Sequence, residues 1–179
     1  MILTGPEITA SACDGRLRIN PFDAEQVNPN SYNVRLGATL TTYTSAVIDA
    51  HRPNPTTTLT IGDSGFVLRP GELYLGHTFE QVGSDHFVPL LFGRSSVGRL
   101  GLFVEITAPI GDIGFHGQWT LMLTPVRPLR VYAGMEIGQV MFFVSSGPVD
   151  LYTGKYQGSR GPQPSRAWQD FVPVQAAAS

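Results

Sequence analysis

Two short segments carry residue types suited to chemistry. Phe92-Gly93-Arg94-Ser95-Ser96-Val97-Gly98-Arg99-Leu100-Gly101 sets two guanidinium groups and two hydroxyls among glycines that let a backbone approach a ligand. Arginine pairs phosphate oxygens bidentately, while serine hydroxyls and free N–H groups take the remaining lone pairs. The pattern fits a phosphate site, and equally a solvated turn with incidental arginines. Thr107-Ala108-Pro109-Ile110-Gly111-Asp112-Ile113-Gly114-Phe115-His116-Gly117 reads as a tight hairpin between two apolar strands. Asp112 is there either as a turn-former, since Asp readily bonds its own backbone, or as a carboxylate that holds a sugar hydroxyl or a water. A third stretch, Gly154 to Arg166, is too polar for a core yet carries Lys155, Tyr156, Arg160 and Arg166. That is the composition of an arm that closes over an anionic ligand, or of a disordered tail. The four histidines, His51, His77, His86 and His116, lack the spacing of a zinc site, so a metal held directly by side chains is not expected.

These segments need a scaffold, and the composition says which kind. A chain of 179 residues with 42% hydrophobic residues suits one domain, residues 1–179, with a self-sufficient core. Its 20 Gly and 14 Pro break helices repeatedly without reaching a disordered composition. Helical signals gather only near the start, where Thr4-Gly5-Pro6-Glu7 resembles a cap with Pro in the first turn. From Tyr32 onward the chain is short β-rich runs, at 32–36, 40–43, 65–68, 73–78, 88–92, 101–106, 118–123, 129–131 and 139–144. Such spacing predicts an all-β sandwich or jelly roll. Ala50 to Ile61, polar and broken by Pro, is expected to be a surface excursion.

Charge excludes some partners. Twelve Lys+Arg against fourteen Asp+Glu, a net charge of −2, lack the basic footprint of a duplex-binding protein. The lone Cys13 excludes an internal disulfide framework and a multi-Cys metal site. With no leader pattern and no apolar run of membrane-span length, the expectation is a soluble cytoplasmic protein that binds neither nucleic acid nor membrane.

In order along nearly the whole chain, these segments resemble the dCTP deaminase/dUTPase family. The matches are Gly15-Arg16-Leu17-Arg18-Ile19 with Pro21-Phe22-Asp23, Asn28-Pro29-Asn30-Ser31-Tyr32-Asn33-Val34-Arg35-Leu36-Gly37, and Pro70-Gly71-Glu72. They continue through Gly93-Arg94-Ser95-Ser96, Arg99-Leu100-Gly101, the Asp112 hairpin, Pro128-Leu129, Gly134-Met135, Ile137-Gly138-Gln139 and Lys155-Tyr156-Gln157-Gly158-Ser159-Arg160-Gly161-Pro162. The resemblance implies a distorted jelly-roll (β-clip) protomer with a short N-terminal helix. It implies a homotrimer with sites between subunits, and an arm over residues 154–179 that folds over a deoxynucleoside triphosphate carrying Mg²⁺. It further implies that Arg94, Ser95 and Ser96 bind phosphates, that Lys155 and Tyr156 complete their cover, and that Arg99 lies beside the base or the attacking water. By the same resemblance the Ile106, Thr107 and Ala108 backbone reads the pyrimidine edge, Asp112 holds the 3′-hydroxyl, and Phe115 packs on the sugar.

The departures bear on the reaction. Deaminases of this family have a Glu as general base after G-x-x-x-L, whereas Gly117-Gln118-Trp119-Thr120-Leu121-Met122 ends in Met122. A thioether accepts no proton at neutral pH, and losing general-base assistance commonly costs about 10²–10⁴ in rate. Ser159 stands where deaminases tend to have a base-contacting Gln, and Asn33 where the family usually has Asp. Glu105, where some deaminases have His, is either a compensating acid facing the base pocket, an outward strand residue, or half of an intersubunit ion pair. Three functions follow: diphosphohydrolysis of a deoxypyrimidine triphosphate, as dUTPases perform, with Asp112 positioning water; deamination of dCTP or a modified analogue through a rearranged base such as Glu105; or nucleotide binding without chemistry.

Overall fold

The computed structural model describes residues 1–105 and 107–171. The helix α1 (Gly5–Cys13) begins where predicted, with Pro in its first turn. Twelve strands are described: β1 (Arg18–Asn20), β2 (Val27–Asn28), β3 (Ser31–Arg35), β4 (Thr39–Tyr43), β5 (Thr56–Thr60), β6 (Phe66–Leu68), β7 (Tyr74–Gly83), β8 (Phe87–Gly93), β9 (Leu102–Phe103), β10 (His116–Pro125), β11 (Leu129–Val131) and β12 (Glu136–Val144). A single helical turn, α2 (Ser95–Gly98), separates β8 from β9.

The strands form a distorted jelly roll, all-β apart from short helical segments. One sheet runs β5-β4-β7-β10-β9 with β1 added along β7, a second runs β2-β3-β12-β8, and β6 pairs with β11 as a ribbon. All the pairings are antiparallel. In β8 the burial alternates from Phe87 to Leu91, as a strand with one face on the core requires. Strand β7 is buried along nearly its whole length, which makes it the inner strand of its sheet. Tyr32, Val34, Leu36, Leu91, Leu121, Ile137 and Phe142 meet between the sheets with no exposed surface. Each such side chain contributes roughly 1.5–3 kcal/mol by leaving water.

Two expectations need correction. The excursion after Ala50 is a strand in its second half: Thr56–Thr60 pairs residue for residue with Tyr43–Thr39. Its threonines are polar but β-branched, so they suit an exposed edge strand that hydropathy alone passes over. The hairpin around Asp112 is not tight. Strands β9 and β10 pair only through Leu102–Phe103 and Thr124–Pro125, which leaves residues 104–115 as the connection. That connection is pinned on β8, where Leu91 N–H donates to Pro109 O (2.8 Å) and Gly111 N–H to Pro89 O (2.8 Å).

Candidate functional site

One edge of β10 is shared by two neighbours, and a cavity of about 470 Å³ opens between them. At one end the strand pairs with β9. At the other it takes the C-terminal arm: Gln118 N–H donates to Ser159 O (2.8 Å), and Gly158 N–H donates to His116 O (3.0 Å). Gly117 makes this approach possible, because a Cβ there would stand 2.9 Å from both the N and the O of Ser159. The arm continues across the opening through Gly161 N–H to Gln118 Oε1 (2.7 Å), Gln163 N–H to Thr120 Oγ1 (2.9 Å) and Ser165 N–H to the Tyr43 hydroxyl (2.8 Å).

The cavity wall is built on β7 and β10 and on the chain just past β9. Leu75 on β7 is the register partner of Met122 on β10. The β9–β10 pairing ends at Phe103 and Thr124, and Glu105 follows two residues on, past the end of the ladder. All three residues line the cavity. Directly opposite side chains on an antiparallel pair share a face, with Cβ atoms roughly 4.5–5.5 Å apart. Glu105 shares the cavity wall with Met122, whose backbone N–H faces its carboxyl. Its Oε2 is buried without a hydrogen-bond partner among the described residues. Burial pushes its pKa up to about 7, while the Met122 backbone N–H acts in the opposite direction.

Asp112 lines the same cavity from the loop and is exposed. Phe115 meets Trp119 edge to face, with centroids 5.9 Å apart, and meets Tyr152 at 6.0 Å. Trp119 is anchored by its indole N–H on Val82 O (3.2 Å) and its backbone N–H on Thr78 Oγ1 (2.9 Å). The β7–β10 register shifts between Gln118 and Thr120, and Gln118, Trp119 and Thr120 all line the cavity, which strict alternation would forbid.

Of the residues singled out in the sequence, Glu105, Ala108, Asp112, Phe115, Met122, Tyr156 and Ser159 line this cavity. Ile106 lies outside the described residues, as do positions 172–179 of the arm. Thr107 is exposed and does not line the cavity. Within the chain, Arg94, Ser95, Ser96 and Arg99 are not brought to the cavity. They cluster around α2, with Ser95, Ser96 and Arg99 exposed and Arg94 ion-paired to Glu136. Lys155 is also apart from the cavity, its Nζ 2.6 Å from the Asp170 carboxylate. Asn33 is buried in β3, where it accepts from Asn28 Nδ2 (2.8 Å). Among the described residues no three His, Cys, Asp or Glu side chains gather as a metal site.

Sequence reasoning missed Tyr43, Leu73, Trp119, Thr120, Tyr152 and Gln163 as cavity residues. The period-2 run Gln118, Thr120, Met122 was a usable signal for Thr120. Trp119 required the register shift, and Tyr43 required the arm's path.

Comparison with known proteins agrees with the fold. The profile of the dCTP deaminase-like family matches residues 2–145. A protein named dCTP deaminase, dUMP-forming, from Leptospira biflexa serovar Patoc is 47% identical over 172 residues, covering 96% of this chain and 98% of that one. A protein of the same name from Clostridium acetobutylicum is 46% identical over 173 residues, covering 96% and 99%. Among solved structures, the 2′-deoxycytidine 5′-triphosphate deaminase from Agrobacterium tumefaciens superposes with a TM-score of 0.62 at 23% identity. The match spans 80% of this chain and 48% of that one.

Proposed function

The chain belongs to the dCTP deaminase-like family of nucleotide-processing enzymes, and on that footing we propose that it hydrolyses a deoxypyrimidine nucleoside triphosphate, dUTP-type, to the monophosphate and pyrophosphate. The observation that carries this reading is the cavity that places exposed Asp112 beside Phe115, with Met122 where the family's deaminases have their acid. In this reading Phe115 packs on the deoxyribose and Asp112 accepts a hydrogen bond from the 3′-hydroxyl and orients a water. The water oxygen bonds to the α-phosphorus, its proton passes to Asp112, and the bond from the α-phosphorus to the α–β bridging oxygen breaks, releasing pyrophosphate. Mg²⁺ enters with the substrate, held by the triphosphate oxygens, and offsets charge on the leaving group.

The phosphate ligands come from a neighbouring copy in a homotrimer. Arg94, Ser95, Ser96 and Arg99 stand away from their own protomer's cavity. Beside them Leu100, Phe103 and Val126 are 57%, 51% and 57% exposed, an apolar surface suited to burial against a second copy. The arm from residue 154 is the closing element, with Tyr156 over the cavity and Lys155 exchanging Asp170 for a phosphate. The reaction belongs to the deoxynucleotide pool, hence the cytoplasm.

The test is pyrophosphate release from dUTP with Mg²⁺. Asp112→Asn should lower it by about 10²-fold or more, the scale of losing a positioned base. Release at the unmodified rate removes Asp112 from the mechanism.

A further inference from the structure

The backbone on either side of Phe115 is held by one side chain of the C-terminal arm. Gln157 Nε2 donates to Gly114 O (2.6 Å), and Gln157 Oε1 accepts from His116 N–H (2.9 Å). The Phe115 ring stands between two others that are fixed independently. Trp119 meets it edge to face from β10, with the indole N–H on Val82 O. Tyr152 meets it from the other side, inclined by 68°. The Tyr152 backbone N–H donates to Ile113 O (2.8 Å), and its hydroxyl accepts from Tyr156 N–H (3.1 Å). Gly114 lets the chain come this close, since its φ is +93° and a Cβ there would stand 2.6 Å from the Tyr152 N. The arm has other anchors on β10: Gly158 N–H on His116 O, Ser159 O on Gln118 N–H, and Gln163 N–H on Thr120 Oγ1. What the Gln157 amide adds to these is a fixed place for residues 114 to 116.

We propose that Gln157 is a positioning residue for Phe115, through which the seated arm makes the cavity discriminate a deoxyribonucleoside triphosphate from its ribonucleoside counterpart. The inference rests on the reading that Phe115 packs on the deoxyribose, and it adds a condition: the ring judges the sugar only while the arm holds it. A 2′-hydroxyl puts one more oxygen on the face of the sugar. A ring free to turn about its side-chain torsions yields to that oxygen, whereas a ring fixed by Trp119, Tyr152 and the Gln157 amide does not. An apolar wall rejects an added hydroxyl by about 10²-fold at best, so the stiffness of the wall decides how much of that is realised. The coupling runs both ways. A ribonucleotide that pushes Phe115 aside moves the Gly114 and His116 groups that Gln157 binds, and so loosens the arm; a deoxynucleotide leaves them in register.

The experiment measures, on the full chain with Mg²⁺, the calorimetric affinity for the α,β-imido analogues of dUTP and UTP, and in parallel pyrophosphate release from dUTP. The unmodified protein should favour the deoxy analogue by up to about 10²-fold. Gln157→Met keeps the length of the side chain without its two hydrogen bonds, and should lower that ratio about tenfold. A role confined to seating the arm would weaken both analogues by the same factor and leave the ratio as it was. Equal affinity of the unmodified protein for the two analogues, or an unchanged ratio in a folded Gln157→Met variant, overturns the proposal. Should that variant not fold, Tyr152→Leu decides: it removes one of the two ring contacts and should lower the ratio likewise, and an unchanged ratio overturns the proposal. Pyrophosphate from dUTP with the ratio unchanged removes this inference alone. A ratio that falls as stated, with no pyrophosphate from dUTP, removes the phosphate-hydrolysis reading and leaves this inference standing.

Discussion

Glu80 on β7 has a side chain with no exposed surface and both carboxylate oxygens occupied, whereas Glu105, just past β9, keeps Oε2 buried with no partner among the described residues. Arg35 supplies both of the Glu80 bonds, its backbone N–H at 2.8 Å and its Nε at 2.6 Å. The same guanidinium lies over the Phe79 ring at 4.9 Å and reaches Asp23 at 3.9 Å. The first acid therefore ties β3, and with it the second sheet, to β7. The second acid ties no two sheets together: what it meets is the Met122 backbone N–H on β10. A buried carboxyl whose oxygens are taken up by the protein is committed to the fold, and one left open beside a cavity is available to a ligand. That difference, rather than burial itself, separates the two roles.

The largest effect should come from breaking the committed acid. Glu80→Ala leaves the Arg35 N–H and Nε without the fully buried carboxylate that they meet, and losing one member of a buried pair costs about 3–5 kcal/mol. Denaturant midpoints should show a loss of that order. A loss below about 1 kcal/mol would mean that the pair does not hold the sheets together.

The open acid should behave in the opposite sense. Glu105 has a folded pKa of about 7 against an ordinary value of 4.5. Its neutral form is favoured in the fold, so this contribution to stability is complete below about pH 4.5 and is lost as pH rises through about 7. Glu105→Gln fixes a neutral side chain of the same shape. The variant should match the unmodified protein near pH 4.5 and be more stable at pH 8 by on the order of 2 kcal/mol, once screening by water in the cavity is allowed for. Thermal melts at the two pH values measure this. A residue that loses turnover and gains stability when neutralised is one held for chemistry; destabilisation at both pH values would assign Glu105 to the fold.

What could be read in the sequence follows from which physical signals are local. Most strands announce themselves, because alternation and β-branched runs are properties of five or six neighbouring residues. Strand β5 escaped because threonine carries β-propensity without hydropathy. The candidate site was half legible: Asp112, Phe115, Met122 and Ser159 were reached through resemblance, and Glu105 stood with three open roles. Its place on the same cavity as Met122 depends on contacts between residues far apart in the chain, which no local pattern encodes. The Lys155–Asp170 pair and the arm's seat on Gly117 are likewise long-range choices of partner.

The smallest effect comes from the far end of the arm that covers Glu105. Phe171 stacks on His51 with centroids 3.8 Å apart and rings inclined by 20°, so the arm rests at Phe171 on the loop between β4 and β5. A contact of this kind contributes about 0.5–1.5 kcal/mol. Phe171→Ala should therefore open the arm more often without unfolding the sheets. Each opening admits water to Glu105 and none to Glu80, which is closed off by Arg35. Hydration favours the charged carboxylate, so the Glu105 titration should move down from about 7 toward its ordinary value. Linkage bounds the movement: a contact of at most about 1.5 kcal/mol shifts the midpoint by no more than about one unit. Carboxyl ¹³C titration of the variant measures it. A midpoint unmoved, with hydrogen exchange at Gln163 and Ser165 accelerated, would mean that burial against β10, and not the arm, sets the acidity of Glu105.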